Sequence, residues 1–369
     1  MLNYLAHKLL SIPILHALTY TSTRAIFGFL TAFILSLVLG RPIIKYLFQK
    51  GFRDYPRNFE NFSSGSKQGT PTMGGVLITL SAFISILLWA DLTEVRIWIV
   101  MLSMIIFGSL GFLDDYAKAK NKDADQGASR IFKMIPQILF GLFLGLLAWK
   151  NYGNIFFSTT QNGFGDAIYI PFLKEPLFHC SFFMLILGVM WSGGISNAVN
   201  YTDGLDGLLS VPAFFCFLVL GVFAFVMGHA GISNYLIYPF LSGAEELAVI
   251  CSIFMGCCLG FLWFNSFPAE VFMGDCGSLM LGGALMTISF LLHQEAVFLI
   301  VGGIFIFQFF SSIIQELFLT YKGKRLFRSA PFHEGLTKSY KMAEAKVVVR
   351  FWIVSSMLAA FALLTLKLR

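Results

Sequence analysis

Five aspartates stand where long apolar stretches of this sequence end or begin: Asp114 and Asp115 in GFLDDYAK, Asp203 and Asp206 in NAVNYTDGLDG, and Asp275 in VFMGDCGS. An ionised carboxylate at a bilayer centre costs roughly 2.5 to 3.5 kcal/mol, so acids near hydrocarbon are retained mainly for function. Carboxylates gathered on one face repel one another unless a cation joins them. Mg²⁺ suits that place, because it takes oxygen ligands and shares them between a few protein carboxylates and substrate phosphates.

Other polar residues cluster around these acids. Lys118, Lys120 and Lys122 follow Asp114 and Asp115, which occupy a helix C-terminus where partial negative charge disfavours carboxylates. Either this is a solvated helix end, or the lysines hold phosphate oxygens beside a metal. Asn197, Asn200, Asp203 and Asp206 recur every third residue and so predict one polar helical face. The two Asp-Gly pairs among them are also turn signals, and Gly204 and Gly207 would let the backbone approach a ligand. Asn265, Phe267, Pro268 and Phe272 fill a short link ending at Asp275, which opens an apolar stretch where a helix N-terminus supports negative charge or phosphate. GTPTMGG at 69–75 opens another, with Lys67 close by; its plainer reading is a helix start.

The elements that must position these residues are membrane helices. Of 369 residues 57% are hydrophobic and 12% charged, and the mean hydropathy is +0.76, which excludes a soluble globular class. A span needs about 20 apolar residues. Ten are predicted, with cores at 25–45, 73–90, 95–113, 131–149, 180–199, 208–228, 247–264, 277–292, 296–320 and 347–366. The fold class is all-α, a polytopic membrane protein forming a single integral domain over 1–369. The first twenty residues carry no small-residue cleavage site and are not read as a signal peptide. Loops after the odd-numbered spans hold 19 of the 26 Lys and Arg residues, which puts them in the cytoplasm and both termini outside. All five aspartates then fall at the cytoplasmic face, and His333 in SAPFHEGL is the only one of six histidines to do so.

The net charge of +6 belongs to these loops and suits lipid headgroups or an anionic substrate. Nucleic acid is excluded as a partner, since no extramembrane domain exists to carry it. The six cysteines lack metal-type spacing and read as small packing residues. Two connections are long. The outer one, 150–179, has Asn162-Gly163 and predicts a β-hairpin or structured turn; the inner one, 321–346, is basic and predicts an amphipathic surface helix.

Taken together, GTPTMGG, FLDDYAK, NAVNYTDGLDGL, FPAEVFMGDCGSL, VVVRFWIVSS and TLKLR resemble the patterns of the phospho-N-acetylmuramoyl-pentapeptide transferase family, within the polyprenyl-phosphate N-acetylhexosamine-1-phosphate transferases. The resemblance spans most of the chain in order. It implies a homodimer in the bacterial inner membrane with a cytoplasmic Mg²⁺ site, where undecaprenyl phosphate attacks UDP-N-acetylmuramoyl-pentapeptide to give lipid I and UMP. It implies catalytic roles for Asp114, Asp115 and Asp275, with Asp275 and Asp115 as metal ligands. Asn200, Asp203, Asp206, Asn265, Phe272 and Gln315 match positions around the nucleotide, with Phe272 stacking on uracil, and Lys67, Lys118 and Lys133 match basic ones. His333 matches a substrate position. Where the family carries three consecutive histidines, this sequence has His333, Glu334 and Gly335.

The expected chemistry is phosphoryl transfer by positioning and charge stabilisation, with Asp114 taking a proton from the lipid phosphate. Two rivals are a related N-acetylglucosamine-1-phosphate transferase and, from another class, an ion-coupled transporter. Against the transporter, the acids cluster at span ends and no pair of interrupted spans marks a midplane site.

Overall fold

Helices dominate the computed structural model, which describes residues 16–53, 69–121, 127–150, 155–156, 164–327 and 329–368. Among them, nine helices are long and apolar enough to cross a membrane: α1 (Thr21–Gln49), α3 (Val95–Asn121), α4 (Arg130–Trp149), α5 (Ser181–Thr202), α6 (Ser210–Gly228), α8 (Glu245–Asn265), α9 (Gly274–Leu291), α11 (Gly303–Lys322) and α12 (Glu344–Leu364). Between them lie α2 (Gly75–Trp89), 15 residues and equally apolar, and the short α7 (Ala230–Leu236) and α10 (Glu295–Val301). This is a multi-pass membrane protein, and each expected span has its helix.

The centre is α9. Every residue from Cys276 to Leu291 is buried, as expected for a helix that is apolar on all sides. It packs on α3, α5 and α2. Lipid tails are as apolar as the helices themselves, so membrane helices associate through close packing and polar clamps. Both occur here: Gly141 and Gly145 of α4 meet Gly188 of α5, and the Asn197 amide donates to Gln137 Oε1 at 3.0 Å while Ser192 Oγ donates to the Gln137 carbonyl at 2.7 Å.

Three expectations are revised. The ninth span breaks at Gly302 into α10 and α11, since the two halves take different neighbours, α10 packing mainly on α12 and α11 on α5. The polar face expected over Asn197–Asp206 is split. α5 ends at Thr202, Gly207 adopts a left-handed φ of +74°, and Asp203 and Asp206 lie in the turn; the Asp-Gly signals outweigh the helical period. In the inner connection the described residues show a helical turn at Phe332–Glu334 and a π turn at Gly335–Ser339 in place of a surface helix, and Lys341, with a left-handed φ of +51°, ends the run. In the outer connection β1 (Ala167–Ile168) pairs antiparallel with β2 (Phe178–His179); Asn162-Gly163 lies outside the described residues.

Candidate active site

Three segments from distant parts of the chain are stitched together by backbone hydrogen bonds. The Phe272 N–H donates to the Pro71 carbonyl, and the Gly74 and Gly75 N–H groups donate to the carbonyls of Phe272 and Met273, each at 2.8 Å. The Thr72 N–H donates to the Phe52 carbonyl at 3.1 Å. The ends of α1, α2 and α9 are thereby fixed to one another. On the other side of α9, a Cβ on Gly111 of α3 would overlap the Asp275 carbonyl. Only glycine permits this approach, which sets the next turn of α3 against the start of α9.

That turn carries Asp114 and Asp115, both almost fully buried. Asp115 accepts from the N–H groups of Asp275 at 3.1 Å and Cys276 at 2.9 Å, capping α9 from another helix and satisfying two of its orphan donors. Asp114 accepts from the Ala128 N–H at 2.7 Å. Two lysines tie Asp114 to Asp275. Lys118 Nζ lies 2.7 Å from Asp114 and 3.1 Å from Asp275, and Lys133 Nζ lies 2.9 and 3.1 Å from the same pair. Local sequence explains both positions: Lys118 is one turn after Asp114, while Ser129 accepts from the Phe132 N–H at 3.2 Å and starts α4 so that Lys133 faces inward. Asn200 Nδ2 donates to Asp275 Oδ1 and Ser278 Oγ, both at 2.9 Å.

Asp203 adds a fourth carboxyl group near the Gly274 N–H. Burial first, and then the carboxylates of Asp275, Asp115 and Asp206, push its pKa up to about 8, against the pull of that N–H. At neutral pH Asp203 therefore keeps its proton for the most part and adds little charge beside the carboxylates that repel it.

The remaining expected residues mostly hold neighbouring segments of chain together. Asn265 accepts from the Gly207 N–H at 2.9 Å and donates to the Val271 carbonyl at 2.8 Å, and Asp206 accepts from the Ala269 N–H at 3.2 Å. Both tie the 203–207 turn to the link that holds the half-buried Phe272. Gln315 accepts from the Leu326 and Phe327 N–H groups at 3.1 and 2.8 Å, folding the chain after α11. His333 is buried, its imidazole packed against Gly204 and its N–H donating to Gln308 Oε1 at 3.4 Å. Lys67 lies outside the described residues.

Sequence reasoning missed Ser278, Gln308 and the Ala128 amide, and it missed Trp352, whose Nε1 donates to the Gly207 carbonyl at 3.1 Å. Ser278, three residues beyond Asp275 and so on the same helical face, had a usable signal; the others had none.

Asp114, Asp115 and Asp275 can hold a metal ion, for each offers a carboxylate oxygen within 4.8 Å of the others. An all-oxygen set suits a hard divalent cation.

Comparison with known proteins agrees with this geometry. A model of glycosyl transferase family 4 matches residues 97–293, a range that holds all three aspartates, and phospho-N-acetylmuramoyl-pentapeptide-transferase signature 1 matches residues 67–78. A Citrifermentans bemidjiense protein named phospho-N-acetylmuramoyl-pentapeptide-transferase is 40% identical over 375 residues, 100% of both chains. The chain belongs to this transferase family. Relatives of the same name from a Geobacter species and from Desulfotalea psychrophila are 41% and 42% identical, over 95% of this chain and 94% of theirs. The signature covers the Pro71–Gly75 segment that holds α9 in place, so in this family member the matched segments are the ones that build the acidic cluster.

Proposed function

We propose that the protein transfers phospho-N-acetylmuramoyl-pentapeptide from its UDP-linked precursor to undecaprenyl phosphate, giving lipid I and UMP for peptidoglycan synthesis. The observation that carries this reading is the Asp114, Asp115 and Asp275 cluster, bridged by two lysines at the ends of membrane helices, in a chain with full-length relatives of that name. The metal would be Mg²⁺ held by Asp275 and Asp115; bound there, it would neutralise the diphosphate and the departing UMP.

The protein's own groups do the rest. Lys118 and Lys133, each shared between two carboxylates, can swing one bond to a phosphate oxygen without losing the other. Asn200 fixes the rotamer of Asp275. Asp114 is the group placed to accept a proton from the lipid phosphate, a light task because a phosphate monoester has its second pKa near about 6. Asp203, Asp206, Asn265, Phe272, Gln315, His333 and Lys67 would bind the nucleotide and sugar peptide, with Phe272 stacking on uracil. The route we favour is direct, lipid phosphate on the β-phosphate, and a trapped phosphorylated aspartate would reject it.

The basic bias of the odd-numbered loops supports a cytoplasmic cleft in the bacterial inner membrane with both termini outside, one integral domain over 1–369, working as a homodimer. The test is Mg²⁺-dependent UMP release with undecaprenyl phosphate and the muramoyl pentapeptide nucleotide. Asp114→Asn should lose less activity at pH 8.5 than at pH 6, and an equal loss would remove the proton role. Release of UMP from UDP-N-acetylglucosamine instead would reverse the substrate assignment.

A further inference from the structure

Outside the acidic cluster, an open groove of about 400 Å³ is lined by Arg41, Ile44, Lys45, Phe48, Pro71 and Glu270. Its position follows from α1. Ile26, Leu30, Ile34 and Val38 are exposed and recur every fourth residue, which makes one apolar stripe along the helix facing lipid tails. Arg41 and Lys45, a turn apart, continue that stripe just where the apolar run ends. A molecule entering the groove from the bilayer therefore meets hydrocarbon first and charge second.

The charges are of both signs. Arg41 and Lys45 are exposed cations on one wall, and Glu270 is an exposed carboxylate on the facing loop. Phe48 closes the floor, with the Arg53 guanidinium 4.2 Å from its ring centroid, so one face of the ring is already covered. A purely anionic headgroup would be attracted by Arg41, Lys45 and the neighbouring Arg53 but would leave Glu270 without a counter-charge. A choline headgroup would bring a cation that has no N–H to donate. A phosphoethanolamine headgroup meets each group with its opposite, its phosphate between Arg41 and Lys45 and its primary ammonium on Glu270.

We propose that this groove is a binding site for a phosphatidylethanolamine-type phospholipid, with the headgroup held by Arg41, Lys45 and Glu270 and one acyl chain lying along Val38 and Ile34. The site would do more than coat the surface. Pro71 is also the residue whose carbonyl receives the Phe272 N–H, so a seated headgroup braces the segment that fixes the start of α9.

Native mass spectrometry of the full-length protein, released from membranes holding equal phosphatidylethanolamine, phosphatidylglycerol and phosphatidylcholine, tests it. The wild type should retain phosphatidylethanolamine about two- to fivefold over either other lipid, the range that partly exposed charge pairs supply. Glu270→Gln should erase or invert the preference over phosphatidylglycerol, and Arg41→Gln with Lys45→Gln should lower retention of both. Equal retention of phosphatidylethanolamine and phosphatidylcholine by the wild type would overturn the proposal, as would a Glu270→Gln protein with an unchanged ratio. Stronger retention of phosphatidylglycerol by the wild type would assign the groove to acidic lipids and overturn it too. The wild-type comparison decides the matter even where a variant fails to fold.

Discussion

Replacing Lys133 by glutamine removes one of the two ammonium groups shared between Asp114 and Asp275. At 2.9 and 3.1 Å, each charge pair amounts to roughly 5 kcal/mol at an effective dielectric constant near 20. The Lys133 side chain is 23% exposed, and screening together with the cost of its own desolvation reduces the net loss to about 1–2 kcal/mol. The same change relieves repulsion between the ammonium and a divalent ion bound through Asp275. About 1.4 kcal/mol of relief is a tenfold change in affinity, so Lys133→Gln should bind Mg²⁺ roughly tenfold more tightly while turning over more slowly, having lost a donor to phosphate. Metal titration by calorimetry, with UMP release at saturating Mg²⁺, separates the two effects. If metal affinity is unchanged or weaker, the lysine acts only as a structural tie and the charge argument fails.

Gly111→Ala should cost about 1–3 kcal/mol by overpacking and abolish most activity, because its methyl group would meet the Asp275 carbonyl; Gly108→Ala, whose methyl would reach Met280 only at ordinary contact distance, is the near-neutral control in the same thermal melt. Asp115→Ala should destabilise by about 1–3 kcal/mol in metal-free buffer by leaving two helix N–H groups without an acceptor, and Asp115→Asn by less, since one oxygen remains; equal melting temperatures for all three proteins would refute the capping role. His293, in the turn after α9, is held neutral by burial, which lowers its pKa from 6.5 to about 3. The unfolded chain therefore takes up a proton between those values while the folded protein does not, and the contribution of this histidine to stability falls as pH drops below about 6.5, by about 2 kcal/mol at pH 5. His293→Phe, which keeps an aromatic ring among Phe156, Phe164 and Phe290, should lose less stability than the wild type between pH 7.5 and pH 5; identical losses would rule out this histidine as the source.

Much of the architecture was readable because a bilayer imposes a one-dimensional rule. Each span must be long, apolar and internally hydrogen-bonded, so hydropathy alone marked every helix from α1 to α12 that crosses. Asp114, Asp115 and Asp275 stood out for the same reason: a charge beside hydrocarbon is conspicuous in sequence. Asn197 and Asn200 show where such reading stops. They are three residues apart on one helix, yet the first clamps α4 to α5 and the second orients Asp275, a division that depends on which neighbour each side of α5 meets.

The sequence by itself determined the positions of the apolar stretches along the chain, the acids and lysines beside them, and the family to which they belong, because these follow from composition and order along the chain. Only the tertiary structure decided that Asp115 caps α9, that Lys118 and Lys133 bridge Asp114 and Asp275, that His333 packs against Gly204, and that the ninth span breaks at Gly302. Those outcomes rest on contacts between segments as much as 161 residues apart, and hydrogen bonds made across such separations are set by helix packing, which no local period encodes.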